Sequence, residues 1–207
     1  MLKDIFFELT RRYTDNLPLI LTLWNEIDKE YSHSSRHYHT VSHLENVIFQ
    51  LEQISNEIAD WDSLLFAIFY HDIVYKSTKS NNEEKSAEIA TKRLSEINFP
   101  QDKISKCVAM ILATKKHLYT GDSDTDLFTD ADLSILGQSW DQYTVYYNQI
   151  RKEYSIFPDL IYNAGRKKVL NHFLKMDTIF KSTYFYDKLE VQAKENLLKE
   201  LALLKSE

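Results

Sequence analysis

The stretch WDSLLFAIFYHDIVY, residues 61–75, decides the fold. Apolar side chains fill nearly every position, and no polar face is left. A helix that is hydrophobic all round is a buried one, so residues 61–75 predict a central helix that others must cover. Outward from it, apolar residues recur at spacings of three and four, the helical period. Phe6, Leu9 and Tyr13 form one such stripe. Trp24, Ile27 and Tyr31 form another, in a helix opened by Pro18, a residue suited to the first helical position. Leu44, Val47, Ile48, Leu51 and Ile54 mark a third. Ser80, Asn81 and Asn82 precede Glu83 and Glu84, an N-cap followed by acids where the helix dipole favours them. The spacing predicts further helices over residues 102–119, 130–137, 139–154, 158–176 and 187–204. Polar connections are expected at 32–39 and 121–126. The sum is about ten helices in an all-α bundle with short connections.

Composition agrees. The chain has 207 residues, 43% apolar and 27% charged, the balance of a folded globular protein rather than a disordered one. It holds only three glycines and three prolines, about 3% against a usual level of roughly 12%. Tight β-turns and phosphate-cradling loops both need glycine. Gly121, Gly137 and Gly165 are too scattered for a Walker loop or a dinucleotide fingerprint. The net charge of −6 argues against nonspecific nucleic-acid binding. Cys107 is the single cysteine, which excludes an internal disulfide and any multi-cysteine zinc or iron–sulfur site. Asp4 and Glu8 interrupt the first apolar stripe, so the amino terminus reads as an amphipathic helix rather than a signal peptide. The longest strongly apolar run, 64–70, is too short to span a bilayer. The expectation is a cytoplasmic protein.

Three groups of residues carry chemistry. His39 and His43 stand four apart, which places two imidazoles on one helix face or at its entrance. They suit either a shared metal or substrate, or a plain surface. The zinc-protease pattern requires Glu after the first His, and Thr40 stands there. His71-Asp72 interrupts the most apolar segment. An unpaired buried carboxylate is costly, so Asp72 needs a partner: a divalent cation with His71 as co-ligand, or a buried Arg or His. Asp130 and Asp132 follow Asp124 and Asp126. These acids form a solvated or capping cluster, or supply a ligand if the loop folds back over His71 and Asp72.

Together these groups resemble the H…HD…D signature of the HD-domain metal-dependent phosphohydrolases, in His43, His71-Asp72 and Asp132. Tyr38-His39-x-x-x-His43-x-x-x-Val47 is similar to a motif of class I cyclic-nucleotide phosphodiesterases. So are Ala67 to Asp72, Ala113 to His117 and Ala131 to Ser134. Asn82 to Ala87 and Gly165-Arg166 resemble segments of a compact branch of predicted HD phosphohydrolases. The chain is shorter than a phosphodiesterase catalytic domain and lacks a recognisable purine-binding glutamine.

The resemblance implies a single HD-type helical domain over 1–207, with a motif core at 36–134 and helices at 139–205 completing the bundle. It implies that His43, His71, Asp72 and Asp132 bind one divalent ion, Mn, Fe, Co, Ni or Zn, with Mg more plausible at an oxygen-rich second position. His39 would be the general acid, Asp72 would orient the attacking water, and His117 would touch phosphate or a second metal. Glu83 is a candidate water holder or simply a dipole partner. Arg36, Lys115, Lys116 and Arg166 are candidate phosphate clamps. Tyr75 and Tyr119 are placed either to stack on a base or to pack in the core. The expected reaction is hydrolysis of a phosphate ester of a small, nucleotide-like molecule, without membrane or nucleic-acid partners. Two rivals remain: a non-catalytic metal- or nucleotide-binding module on the same fold, and a di-iron oxygenase. The Tyr143 to Tyr154 helix and the last helix are candidate surfaces for a homo-oligomer.

Overall fold

A computed structural model describes residues 1–205. Ten α-helices and two short 3-10 turns account for its regular structure, and there is no strand among the described residues. Among them, no helix is long and apolar enough to cross a membrane. The chain divides into two compact units, residues 1–129 and 130–207.

The first unit contains α1 (Leu2–Arg11), α2 (Leu17–Tyr31), α3 (Val41–Glu52), a 3-10 turn (Ser55–Glu57), α4 (Trp61–Tyr70), α5 (Asn82–Glu96) and α6 (Gln101–Ala113). It also contains most of α7 (Ser123–Asp132), a helix that runs unbroken past residue 129. As its composition predicts, α4 is the buried centre: every residue from Ser63 to Tyr70 is shut off from solvent. Phe6 packs edge-on against Phe69 at 5.1 Å, Phe99 packs against Phe66 at 4.8 Å, and Trp24 against Phe69 at 6.5 Å. Each such buried side chain contributes about 1.5–3 kcal/mol, which is what holds short helices together. Asn16 caps α2 by accepting the Leu19 N–H, and Asp60 caps α4 by accepting the Ser63 N–H. Cys107 lies buried on α6, and that burial pushes its thiol pKa up.

In this unit three boundaries differ from the sequence expectation. The central helix ends at Tyr70 instead of running to residue 75. The Asp72 N–H, which a continued helix would give to the Ile68 carbonyl, goes instead to the Tyr31 hydroxyl (3.1 Å), the Ile68 carbonyl accepts from His71 Nδ1 (2.8 Å), and the Val74 N–H goes to the Ser86 hydroxyl (3.1 Å). The sixth helix ends at Ala113 rather than at 119. His117 adopts a left-handed backbone with φ 52°, donating its N–H to the Ala113 carbonyl, an arrangement that stops helices. The stretch 121–126, expected as a loop, holds the first turn of α7. Asp122 accepts from the Thr125 N–H and hydroxyl and nucleates that turn. Asp124 meanwhile accepts from the Ala59 and Asp60 N–H groups and pairs with Lys106, so it is a strut rather than a solvated acid.

The second unit holds a 3-10 turn (Leu133–Gly137), α8 (Trp140–Glu153), α9 (Asp159–Leu174) and α10 (Thr183–Lys205). The last helix begins four residues before the expected 187, where Ser182 precedes it and Asp130 accepts the Ser182 N–H and hydroxyl. Its core includes a buried polar knot. Arg166 donates to both oxygens of Glu200 (2.7 and 2.8 Å), and the Tyr143 hydroxyl donates to the same carboxylate. Gly137 packs directly on α10: a Cβ there would lie 2.5 Å from Leu189 Cβ and 2.7 Å from its carbonyl oxygen. That Leu189 Cβ is fixed by its own backbone and the next two atoms are backbone, so none of them can swing aside. Gly137→Ala is therefore expected to destabilise the protein by about 1–3 kcal/mol, measured by urea unfolding; an unchanged midpoint would show that α10 can shift.

Candidate metal centre

The pieces of the signature arrive from three helices. His43 lies in the first turn of α3 and His71 just past the end of α4; both are buried. Phe128 of α7 packs edge-on against His71 at 5.5 Å. Asp132 follows Phe128 by four residues on the same helix, and so on the same face. The result is a group, His43, His71 and Asp132, whose ligand atoms all lie within 4.8 Å of one another.

The hydrogen bonds fix which atoms face inward. His71 Nδ1 sits 2.8 Å from the Ile68 carbonyl oxygen. A carbonyl only accepts, so Nδ1 carries the proton and Nε2 is turned to the site. That Nε2 lies 3.2 Å from His43 Nε2 and 3.2 Å from Asp72 Oδ2. Acceptor atoms crowded together in a buried place need a proton or a cation between them. Two imidazole nitrogens bound at about 2.0–2.1 Å to one tetrahedral ion stand about 3.3 Å apart, close to the observed spacing. Nitrogen and carboxylate donors suit a transition metal better than Mg. The residues therefore fit a divalent ion.

Asp72 stands at the edge of this group, with its N–H donated to the Tyr31 hydroxyl at 3.1 Å. His39 is half-buried across from it, with Nε2 3.9 Å from Asp72 Oδ2. Its ring centroid is 5.8 Å from that of His43. His39, His43, His71, Asp72 and Asp132 are thus placed at one site.

Other expected site residues are engaged elsewhere. Arg36 is buried with three donors bound to backbone carbonyls, including that of His39 at 3.2 Å; it is a brace, not an open phosphate clamp. Arg166 is committed to Glu200 inside the second unit, and burial with a full bidentate partner removes it from the clamp role too. Lys115 donates to the Ser80 carbonyl at 2.7 Å and to Glu84, with Glu83 3.6 Å away. That makes Glu83 and Lys115 part of an ion cluster at the start of α5, where the dipole favours the acids. Lys116 and Tyr119 are exposed, and His117 closes the turn after α6. The three-residue ligand group does not include His117. Sequence reasoning missed Tyr31 and Phe128, which position Asp72 and His71. Tyr31 read only as an apolar member of a helical stripe, and Phe128 fell between the expected loop at 121–126 and the expected helix at 130–137.

No protein-family model matches the chain, and neither a curated protein nor a solved structure is significantly similar to it.

Proposed function

We propose that the protein is a metal-dependent phosphohydrolase of HD type, acting on a phosphate ester of a small, nucleotide-like molecule. The observation that supports this most is the buried His43–His71–Asp132 group with Asp72 and His39 at its edge. His43, His71 and Asp132 would hold a divalent ion. Such an ion lowers the pKa of a water and polarises the phosphoryl oxygen.

The chain's own groups supply the rest. Asp72 Oδ2 orients the attacking water and accepts its proton. The water oxygen bonds to phosphorus, and the ester P–O bond breaks with its electron pair on the leaving oxygen. His39 Nε2, 3.9 Å from Asp72 Oδ2, delivers the proton that this oxygen takes. The burial of His43 and His71 keeps bulk water from their nitrogens.

The test is a phosphate-release screen over nucleotides and sugar phosphates, run beside elemental mass spectrometry. His39→Ala is expected to keep its metal and to lose about 100-fold or more in rate on substrates with poor leaving groups. Loss of metal in that variant would make His39 a ligand instead of the acid. Stoichiometric metal with no turnover of any ester would refute the hydrolase reading in favour of a binding module.

A further inference from the structure

Four planar groups touch in succession beside the candidate metal centre. The Arg36 guanidinium carbon lies 4.7 Å from the Tyr31 ring centroid and 5.8 Å from that of Tyr75. Tyr75 in turn stacks on the His39 imidazole, with centroids 4.0 Å apart and planes 27° from parallel. Cation–π and offset stacking contacts of this kind hold ring planes. The same guanidinium also donates to the backbone carbonyls of His39, Asp72 and Ile73. Tyr31 completes the frame by accepting the Asp72 N–H.

Neither His39 nor Asp72 lies within a helix: one is in the connection before α3 and the other in the turn after α4. Irregular backbone does not orient a side chain by itself. Here two irregular segments, 33 residues apart in sequence, are clamped to one guanidinium. The clamp fixes both backbones, and the Tyr75 stack fixes the plane of the His39 ring.

We infer that Arg36 and Tyr75 are positioning residues for the proton donor: Arg36 ties the backbone of His39 to that of Asp72, and Tyr75 holds the His39 ring. The inference rests on the phosphohydrolase reading for its catalytic consequence. Tyr75 and Arg36 touch no reacting atom; they act through His39. A misplacement of about 1 Å in such a group can cost about 100-fold in rate.

The experiment compares Tyr75→Leu, which removes the stacked ring, with Tyr75→Phe, which keeps it. Two esters are used: p-nitrophenyl phosphate, whose leaving group needs no proton, and an alkyl or nucleoside phosphate, whose leaving oxygen does. Tyr75→Leu is expected to lose about 10-fold or more on the second ester and to stay within about 3-fold on the first. Its metal content should be that of wild type, and Tyr75→Phe should behave as wild type on both esters. A merely structural role would lower both rates together. A second readout needs no turnover. Diethyl pyrocarbonate labelling of His39 in the metal-free protein, followed by peptide mass spectrometry, should be several-fold faster in Tyr75→Leu than in wild type or Tyr75→Phe. Equal labelling in all three, or a Phe variant that falls as far as Leu, overturns the inference. Wild type inert toward both esters would refute the hydrolase reading, and the labelling rates would then decide the positioning role alone.

Discussion

Under the proposed function, His71→Ala should leave the protein without its divalent ion and without hydrolysis. His71 is only 1% exposed, and its Nε2 lies within 3.2 Å of both His43 Nε2 and Asp72 Oδ2. Its Nδ1–H is already spent on the Ile68 carbonyl, so the ring has one orientation, with Nε2 turned to the site. Losing an outer-shell partner of a metal ligand costs about 10–100-fold in affinity; losing the ligand itself should cost more than about 100-fold. The expected result is near-stoichiometric metal in wild type and a trace in the variant, by elemental mass spectrometry after equal loading. The deleted imidazole also leaves a void and an unpaired Ile68 carbonyl, each a source of lost stability. Circular dichroism must therefore show a folded variant for the comparison to count. Unchanged metal in a folded His71→Ala protein would show that the ion sits elsewhere.

The other large effect concerns stability alone. Glu200→Ala should destabilise the protein by about 3–5 kcal/mol, the cost of breaking a buried ion pair by removing one partner. Arg166 and Glu200 are 7% and 3% exposed, and the fork between them uses both carboxylate oxygens. Tyr143 donates a third hydrogen bond to the same group, and burial, with Glu200 adding to it, pushes the Tyr143 hydroxyl pKa far up, so it stays a donor. Removing Glu200 therefore leaves a buried cation and a buried hydroxyl without their acceptor. Arg166→Met with Glu200→Leu should recover most of the loss, because two apolar side chains need no counter-charge. Urea unfolding of Arg166→Met, Glu200→Leu and the double variant measures this as a coupling energy. Strictly additive losses would mean that the pair does not act as a unit.

The helices were legible because burial writes a period into the sequence. The largely apolar 61–75 segment pointed to an interior helix, and Phe6, Leu9, Trp24 and Ile27 turned out buried as their spacing required. The end of the central helix was less legible, since partners distant in sequence set it. Nothing near Tyr70 announces that the hydroxyls of Tyr31 and Ser86 will take the N–H groups of Asp72 and Val74. The site shows the same division. His43, His71 and Asp132 were brought together by the resemblance of their motifs to the H…HD…D signature, and they do meet. The cationic residues could not be sorted that way: Arg36, Lys115 and Arg166 look alike in sequence. Only their partners show that the first is a brace, the second a surface ion pair and the third a core pair.

The enclosed position of Cys107 has a practical consequence. Its thiol is sealed inside the first unit and held in the protonated form by burial. Maleimide and iodoacetamide reagents attack exposed thiolates, so the native chain offers them no target while folded. A cysteine introduced at an exposed position, such as that of Tyr119 at 76% exposure, would become the one reactive handle. A fluorophore or spin label could be attached there in a defined place, with no native residue removed first.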